Sequence, residues 1–316
     1  MNVSKLCTLY LDHARTYYRK PSGRQTSEYG LMELSIRPLL AVAERRPVRF
    51  VSAQTIDTAR SWILDNLPDN SRRTVNAKVS RMIRVFRWGA EPQRRHVPAA
   101  VAASLLTLRP LPYGRSPAPE RPGLAGVERD AINDLLAALA ERPDDRRVAP
   151  AVQLARLRIA TMVELQLDTG MRPGEVCLMD TRHIDRNGPR GTWLYQPPEH
   201  KTQHRGRQRV IVLFDEAQHL LRRWQAVSKT GHGPLFGVRV DSYRTAVQRA
   251  LRRAGLPQIT PHQIRHTRAT EVRRAAGLDA AQVLLGHSSS RTTEIYAGAD
   301  LGMLINRLAQ ARGLPG

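Results

Sequence analysis

Along the first hundred residues apolar positions recur every three or four places, the period of helices with one buried face. Over 4–19, Leu6, Leu9, Tyr10, Leu11 and Tyr17 make such a face. A connection containing Pro, Gly and Ser (KPSGRQTSEYG) follows, and a second helix is predicted over 31–43, with Pro38 placed to kink it. Ser52 or Thr55 is positioned to cap a third helix, whose apolar members are Ile56, Ala59, Trp62, Ile63 and Leu67. Asn70 or Ser71 caps a fourth over 72–89, with Val75, Val79, Met82, Ile83 and Phe86 in one stripe. A short fifth helix covers 97–107. The period then fails in a Pro/Gly-rich stretch, 109–126 (RPLPYGRSPAPERPGLAG), which marks a domain boundary.

Beyond it, Ile132, Leu135, Leu136 and Leu139 line a short helix that ends at RPDD. The segment 152–167 is strongly helical, with Leu154, Leu157, Ile159, Val163 and Leu167 apolar, and stops at Thr169-Gly170. Next come two segments read as strands, 192–196 (TWLYQ) and 208–214 (QRVIVLF), joined by the basic HKTQHRGR. Helices are predicted at about 215–226 and 241–254, and a short one capped by Asp279 and ended by Gly286. The fold class expected is mainly α: a helical N-terminal domain (1–112), a linker (113–126) and a mixed α+β domain (127–316) holding a small antiparallel sheet. A length of 316 residues agrees with two cores.

Charge says what the domains face. The chain carries a formal +22, and residues 1–120 hold 20 basic against 9 acidic groups, so half of the excess lies in each part and none of it is a tail. A polyanion partner follows, and two domains that both face a phosphate backbone would carry such a charge. Within the fourth helix Lys78, Arg81, Arg84 and Arg87 form a second stripe; it reads either as a solvated basic face or as a face laid against DNA. Two cysteines, Cys7 and Cys177, sit in no metal spacing, which predicts reduced thiols in a cytoplasmic protein. No apolar run reaches membrane-spanning length, and the N-terminus is charged within its apolar pattern, unlike a signal peptide.

Candidate chemistry concentrates in 260–297 (TPHQIRHTRATEVRRAAGLDAAQVLLGHSSSRTTEIYA). Thr260 at a cap and Pro261 at the first helical position start a helix on which His262 and Arg265 share a face, near an N-terminus that favours anions. His266, one turn from His262, belongs either to the site or to the core. His287 follows Gly286 on a tight turn, and Tyr296 lies nine residues on. Upstream, Arg172 sits in the sharp turn TGMRPGEV with Glu175 three residues later to hold its guanidinium, and Lys201 lies between the two strands. Two arginines, a lysine, two histidines and a tyrosine suit phosphoryl transfer from a phosphodiester. Guanidiniums match the non-bridging oxygens in shape and sign. An attacking tyrosine keeps the ester energy in a covalent link, so no external energy source is required. Lys201 is placed to protonate the leaving hydroxyl. No GxxxxGK[ST] loop and no acidic cluster is evident, so neither metal nor nucleotide cofactor is expected.

The set TGMRPGE, HKT, TPHQIRHTRAT, LLGHSS and TTEIY, in that order, resembles the tyrosine recombinase (phage-type integrase) family over about 127–316. The resemblance implies that Arg172 and Arg265 clamp the scissile phosphate, Lys201 protonates the 5′ hydroxyl, His262 assists proton transfer at the tyrosine, His287 hydrogen-bonds the phosphate, Tyr296 forms the 3′-phosphotyrosyl link and Glu175 supports. It also implies a SAM-like core-binding N-terminal domain, a clamp around duplex DNA, and a tetramer on paired sites. The apolar-faced segment 301–311 then docks either in its own chain or in a neighbour. Met1 runs almost directly into the first helix, which leaves no room for an arm-binding domain and favours a compact recombinase or mobile-element integrase. Competing readings are a DNA-binding protein with a relic site, a type IB topoisomerase-like enzyme, and a metal-dependent nuclease or acidic-triad transposase.

Overall fold

The computed structural model describes residues 1–20, 23–140, 149–199, 209–285 and 301–310. Lys201, His287 and Tyr296 lie outside the described residues. The chain forms two compact units, Met1–Gly123 and Leu124–Gly316.

The first unit is helical: α1 (Val3–Tyr17), α2 (Ser27–Ala43), α3 (Ala53–Asn66), α4 (Arg72–Gly89) and α5 (Ala99–Leu105). Helix α2 begins four residues before the predicted start, behind Thr26, and passes through Pro38 without ending. A proline there removes one backbone donor. The helix is held across that loss by its packing: Met32, Ile36, Leu39 and Pro38 itself are buried. Helix α4 matches its predicted span, with Ser71 as its cap, accepting the Thr74 N–H at 3.4 Å. Val75, Val79, Met82 and Phe86 enter the core as their spacing requires. The Pro/Gly-rich stretch is not a loose tether. The Leu111 carbonyl accepts from Arg72 and Asn76, the Pro119 carbonyl accepts the Arg72 N–H, and Ala118 is buried in the same core. The break between units therefore falls after Gly123.

The second unit contains α6 (Arg129–Leu139), α7 (Pro150–Thr169), α8 (Pro173–Cys177), β1 (Ile184–Asp185), β2 (Trp193–Tyr195), β3 (Ile211–Leu213), α9 (Asp215–Ser228), α10 (Val240–Arg253), α11 (Pro261–Leu285) and α12 (Leu301–Gln310). The sheet is antiparallel in the order β1-β2-β3, with Trp193 opposite Leu213 and Tyr195 opposite Ile211. β1 was not predicted, because two residues are too few to show an alternation. Both faces of the sheet are covered. Trp193, Tyr195, Ile211 and Leu213 point into the main core with α7 and α9, while Leu194 and Val212 face Val272, Ala281 and Leu284 of α11 and Ile305 and Leu308 of α12. So α12 packs within its own chain. Leu154, expected in the core face of α7, is 38% exposed.

Helix α11 corrects one boundary. Its continuity is interrupted at Gly277 (φ 83°, ψ 178°), two residues before the predicted cap Asp279. Glycine alone adopts that conformation cheaply. The sequence placed a new helix here, and the residue that breaks the old one is Gly277 and not the cap at Asp279. The start of the unit is tied back to α11: Val127 N–H donates to Thr267 Oγ1 at 2.8 Å, Thr267 Oγ1 donates to the Val127 carbonyl at 2.7 Å, and Arg129 grips Glu271 with both ends of its fork.

Candidate active site

Helix α7 stops at Gly170 in the left-handed conformation (φ 65°), with its N–H on the Gln166 carbonyl. The chain reverses through buried Met171 and restarts as α8 with Arg172 at its cap. Glu175 stands at the third helical position, where a carboxylate reaches back to the cap N–H. Glu175 Oε2 accepts the Arg172 N–H at 2.6 Å, and Oε1 accepts from Arg172 Nη1 at 2.8 Å. One carboxylate thus fixes both the backbone and the side chain of the arginine. Glu175 is 2% exposed.

Helix α11 begins at Pro261 as predicted, and Gln263 at its third position accepts the Thr260 N–H at 2.9 Å. One turn on, Arg265 is buried. It donates from Nη1 to the Gly170 carbonyl at 2.6 Å and from Nη2 to the Leu285 carbonyl at 2.7 Å. Its Nη1 lies 3.9 Å from Glu175 Oε2. Both arginines singled out in the sequence therefore meet on Glu175, although 93 positions separate them in the chain. His262 is exposed at the second position of α11. His266 is half-buried; burial, then the Arg265 charge, hold its imidazole below the usual range.

A third guanidinium joins them. Arg209, just before β3, is 6% exposed; its Nε lies 3.5 Å from Glu175 Oε1, and its Nη2 donates to the Leu284 carbonyl at 3.1 Å. Sequence reading missed it. The signal was its parity with Ile211 and Leu213, which put a charge on an inward-facing position. Burial pulls the Glu175 carboxyl up, but Arg209, the Arg172 N–H and guanidinium and Arg265 outweigh it, so Glu175 stays below the usual carboxylate range. Arg265 is pushed down to about 9 by burial, then by Arg172 and Arg209, against the pull of Glu175. Among the described residues three cations share one anion, a cluster short of negative charge and suited to binding an anion.

The two arginine-bearing segments are joined by a buried amide. Gln166 Nε2 donates to the Met171 carbonyl at 3.1 Å and the Pro261 carbonyl at 2.9 Å, and its Oε1 accepts from Tyr243 Oη at 3.0 Å. Tyr195 Oη donates to the Glu175 carbonyl at 2.9 Å. Gly170 matters here too. A Cβ on it would stand 2.8 Å from Leu284 Cδ2 and would hold an unfavourable φ. Gly170→Ala is expected to destabilise the protein by about 1–2 kcal/mol, read as a lower denaturation midpoint at unchanged slope. An unchanged midpoint would show that the turn relaxes freely.

In the first unit the predicted stripe is partly neutralised. Glu28 takes both ends of the Arg81 fork at 3.0 Å and Arg84 Nη1 at 2.8 Å. Burial holds the half-buried Lys78 below its usual range, and Arg87 is exposed. Among the described residues no group of three His, Cys, Asp or Glu is placed to hold a metal ion, and no helix is long and apolar enough to cross a membrane.

Residues 127–301 match the model of the phage integrase family. A tyrosine recombinase XerC of Bifidobacterium longum (strain DJO10A) is 27% identical over 355 residues, which cover 95% of this chain and 96% of that protein. A structure of a lambda integrase (75–356) dimer bound to a COC′ core site superposes with a TM-score of 0.65 at 16% identity, over 92% of this chain and 97% of that one. A lambda integrase tetramer bound to a Holliday junction gives 0.61 at 15% identity, over 92% and 78%.

Proposed function

The chain belongs to the phage integrase family of tyrosine recombinases, which act in site-specific DNA recombination, and from this we propose that it cuts and rejoins DNA strands through a covalent 3′-phosphotyrosyl link made by Tyr296. The observation that supports the reading most is the convergence of Arg172 and Arg265 on buried Glu175, with the Arg265 fork set by two main-chain carbonyls. Donors fixed before the substrate arrives stabilise charge as it develops on a phosphate, without reorganisation. Arg172 and Arg265 clamp the scissile phosphate. His262, on the same turn as Arg265, assists proton transfer at the tyrosine. His287 adds a hydrogen bond to the phosphate, and Lys201 protonates the departing 5′ hydroxyl.

The charge of both units fits duplex DNA as the substrate, with Arg84 and Arg87 the exposed members of the α4 stripe. Pairing of two sites by a tetramer, as in the lambda integrase complex on a junction, accounts for exchange rather than simple cleavage. Such work places the protein in the cytoplasm, with the chromosome or a mobile element. Because the cations stand in for a metal, the chemistry proceeds without metal or nucleotide.

The test is a duplex selected for tight binding and nicked close to the cut, so that the released fragment diffuses away. The wild type is expected to accumulate a covalent protein–DNA adduct with EDTA present and no nucleotide added. Tight binding with no adduct on any selected site would establish a DNA-binding protein with a relic site; an adduct lost in EDTA would establish metal-dependent chemistry.

A further inference from the structure

We propose that Arg209 is a positioning residue of this site: it holds Glu175 between the two clamp arginines and fastens the end of α11 through the Leu284 carbonyl. The proposal rests on the reading of Arg172 and Arg265 as a phosphate clamp.

Three observations carry it. First, Arg209 is buried, and among the described residues its carboxylate is Glu175, which already meets Arg172 and Arg265. A third guanidinium on one carboxylate costs stability, because burying a charge without a full partner is unfavourable. Structure alone would be served by an apolar residue beside Ile211 and Val212. Secondly, its contacts go to the site from both sides. Nε faces Glu175 Oε1 at 3.5 Å, beyond a hydrogen bond to it, while Nη2 takes the Leu284 carbonyl at 3.1 Å. Arg265 takes the neighbouring Leu285 carbonyl. Two arginines from different elements thus satisfy adjacent carbonyls at the end of α11, where helix carbonyls lack partners and cations are favoured. In sequence His287 follows two residues later.

Thirdly, the charges have a purpose when summed over the reaction. Arg172, Arg209 and Arg265 against Glu175 leave two positive charges uncompensated. A phosphodiester brings one negative charge in the ground state. The second positive charge is available for what accumulates on the non-bridging oxygens as the nucleophile adds, which is where differential stabilisation raises the rate. Arg209 supplies that charge through Glu175 and touches no substrate in this assignment.

Among the described residues, the charged and titratable groups facing Glu175 are Arg172 from its own turn, Arg209 beside β3, Arg265 from α11 and Tyr195 from β2. Removing Arg209 removes one of the cations that hold Glu175 down, so its carboxyl should titrate higher. The experiment compares wild type, Arg209→Met and Arg209→Lys in the full chain by single-turnover adduct formation on the nicked duplex, by DNA affinity, and by carbon-13 NMR of Glu-labelled protein with Glu175→Gln as the assignment control. Arg209→Met is expected to slow adduct formation about 10–100-fold at unchanged affinity and to raise the Glu175 titration. Arg209→Lys, which keeps the charge but not the fork, should recover part of both.

Wild-type rate or wild-type Glu175 titration in Arg209→Met overturns the proposal. So does Arg209→Lys behaving like Arg209→Met while both remain folded by thermal melting. If Arg209→Met does not fold, Arg209→Lys decides alone: a severalfold slower adduct with a shifted Glu175 supports the assignment, and no change in either overturns it. If the wild type itself forms no adduct, the recombinase reading falls, while the NMR comparison still decides whether Arg209 sets the state of Glu175.

Discussion

Tyr296→Phe is expected to form no covalent adduct on a nicked duplex, while binding the same DNA as tightly as the wild type. The change removes one oxygen and little else, so folding and binding should survive. Only the proposed bond to phosphorus loses its atom. A tyrosine with an ordinary pKa near 10 is a weak nucleophile at neutral pH, and phenylalanine offers no oxygen at all. The expected loss is therefore complete within detection, at least about 10³-fold. Denaturing electrophoresis of labelled DNA reads it directly. An adduct that persists in Tyr296→Phe would move the nucleophile to another residue and leave the cation cluster as a binding site only.

The second large effect is expected at Arg265. Arg265→Ala should slow cleavage about 10²–10³-fold, the usual cost of removing a fixed donor pair from developing charge. Arg265→Lys should recover little, since one ammonium cannot hold two carbonyls in different directions and still face an anion. The stability change should be small beside the activity change. Burial, then the charges of Arg172 and Arg209, press the proton affinity of Arg265 down to about 9. An uncharged Arg265→Met relieves the burial of charge and the repulsion, so its melting temperature should fall less than for a core truncation such as Ile264→Ala, a loss of about 2–5 kcal/mol. Single-turnover kinetics and thermal melting on the same samples separate the two. Cleavage within threefold of wild type would remove Arg265 from the clamp. A collapse in stability equal to that of Ile264→Ala would make it a structural residue.

Legibility followed the length of the signal. Helix α4 could be read to the residue, because four turns of apolar spacing lie between a serine cap and a glycine end. The TGMRPGE turn could be read because glycine and proline leave few backbone paths. β1 could not, being two residues long. Pro38 misled in the other direction: burial on α2 outweighed the missing donor. Within the site, Arg172, Glu175 and Arg265 were identified by motif, and the structure brings those three together. Arg209 was hidden in a basic run where Lys201 had a motif and it had none. Gln166 was hidden for a different reason. A glutamine inside an apolar helix looks like a surface residue until both of its amide hydrogens are found on main-chain carbonyls of separate segments.

The carbonyls that hold Arg265 have an evolutionary corollary. Mutation can replace any side chain, but it cannot delete a main-chain oxygen. Position 285 orients Arg265 whatever residue stands there, provided the backbone path survives. Position 170 can drift only where a left-handed turn is tolerated. The site can therefore diverge around Arg265 without losing its aim. A comparison by side-chain identity would pass over position 285, a participant that needs no particular amino acid.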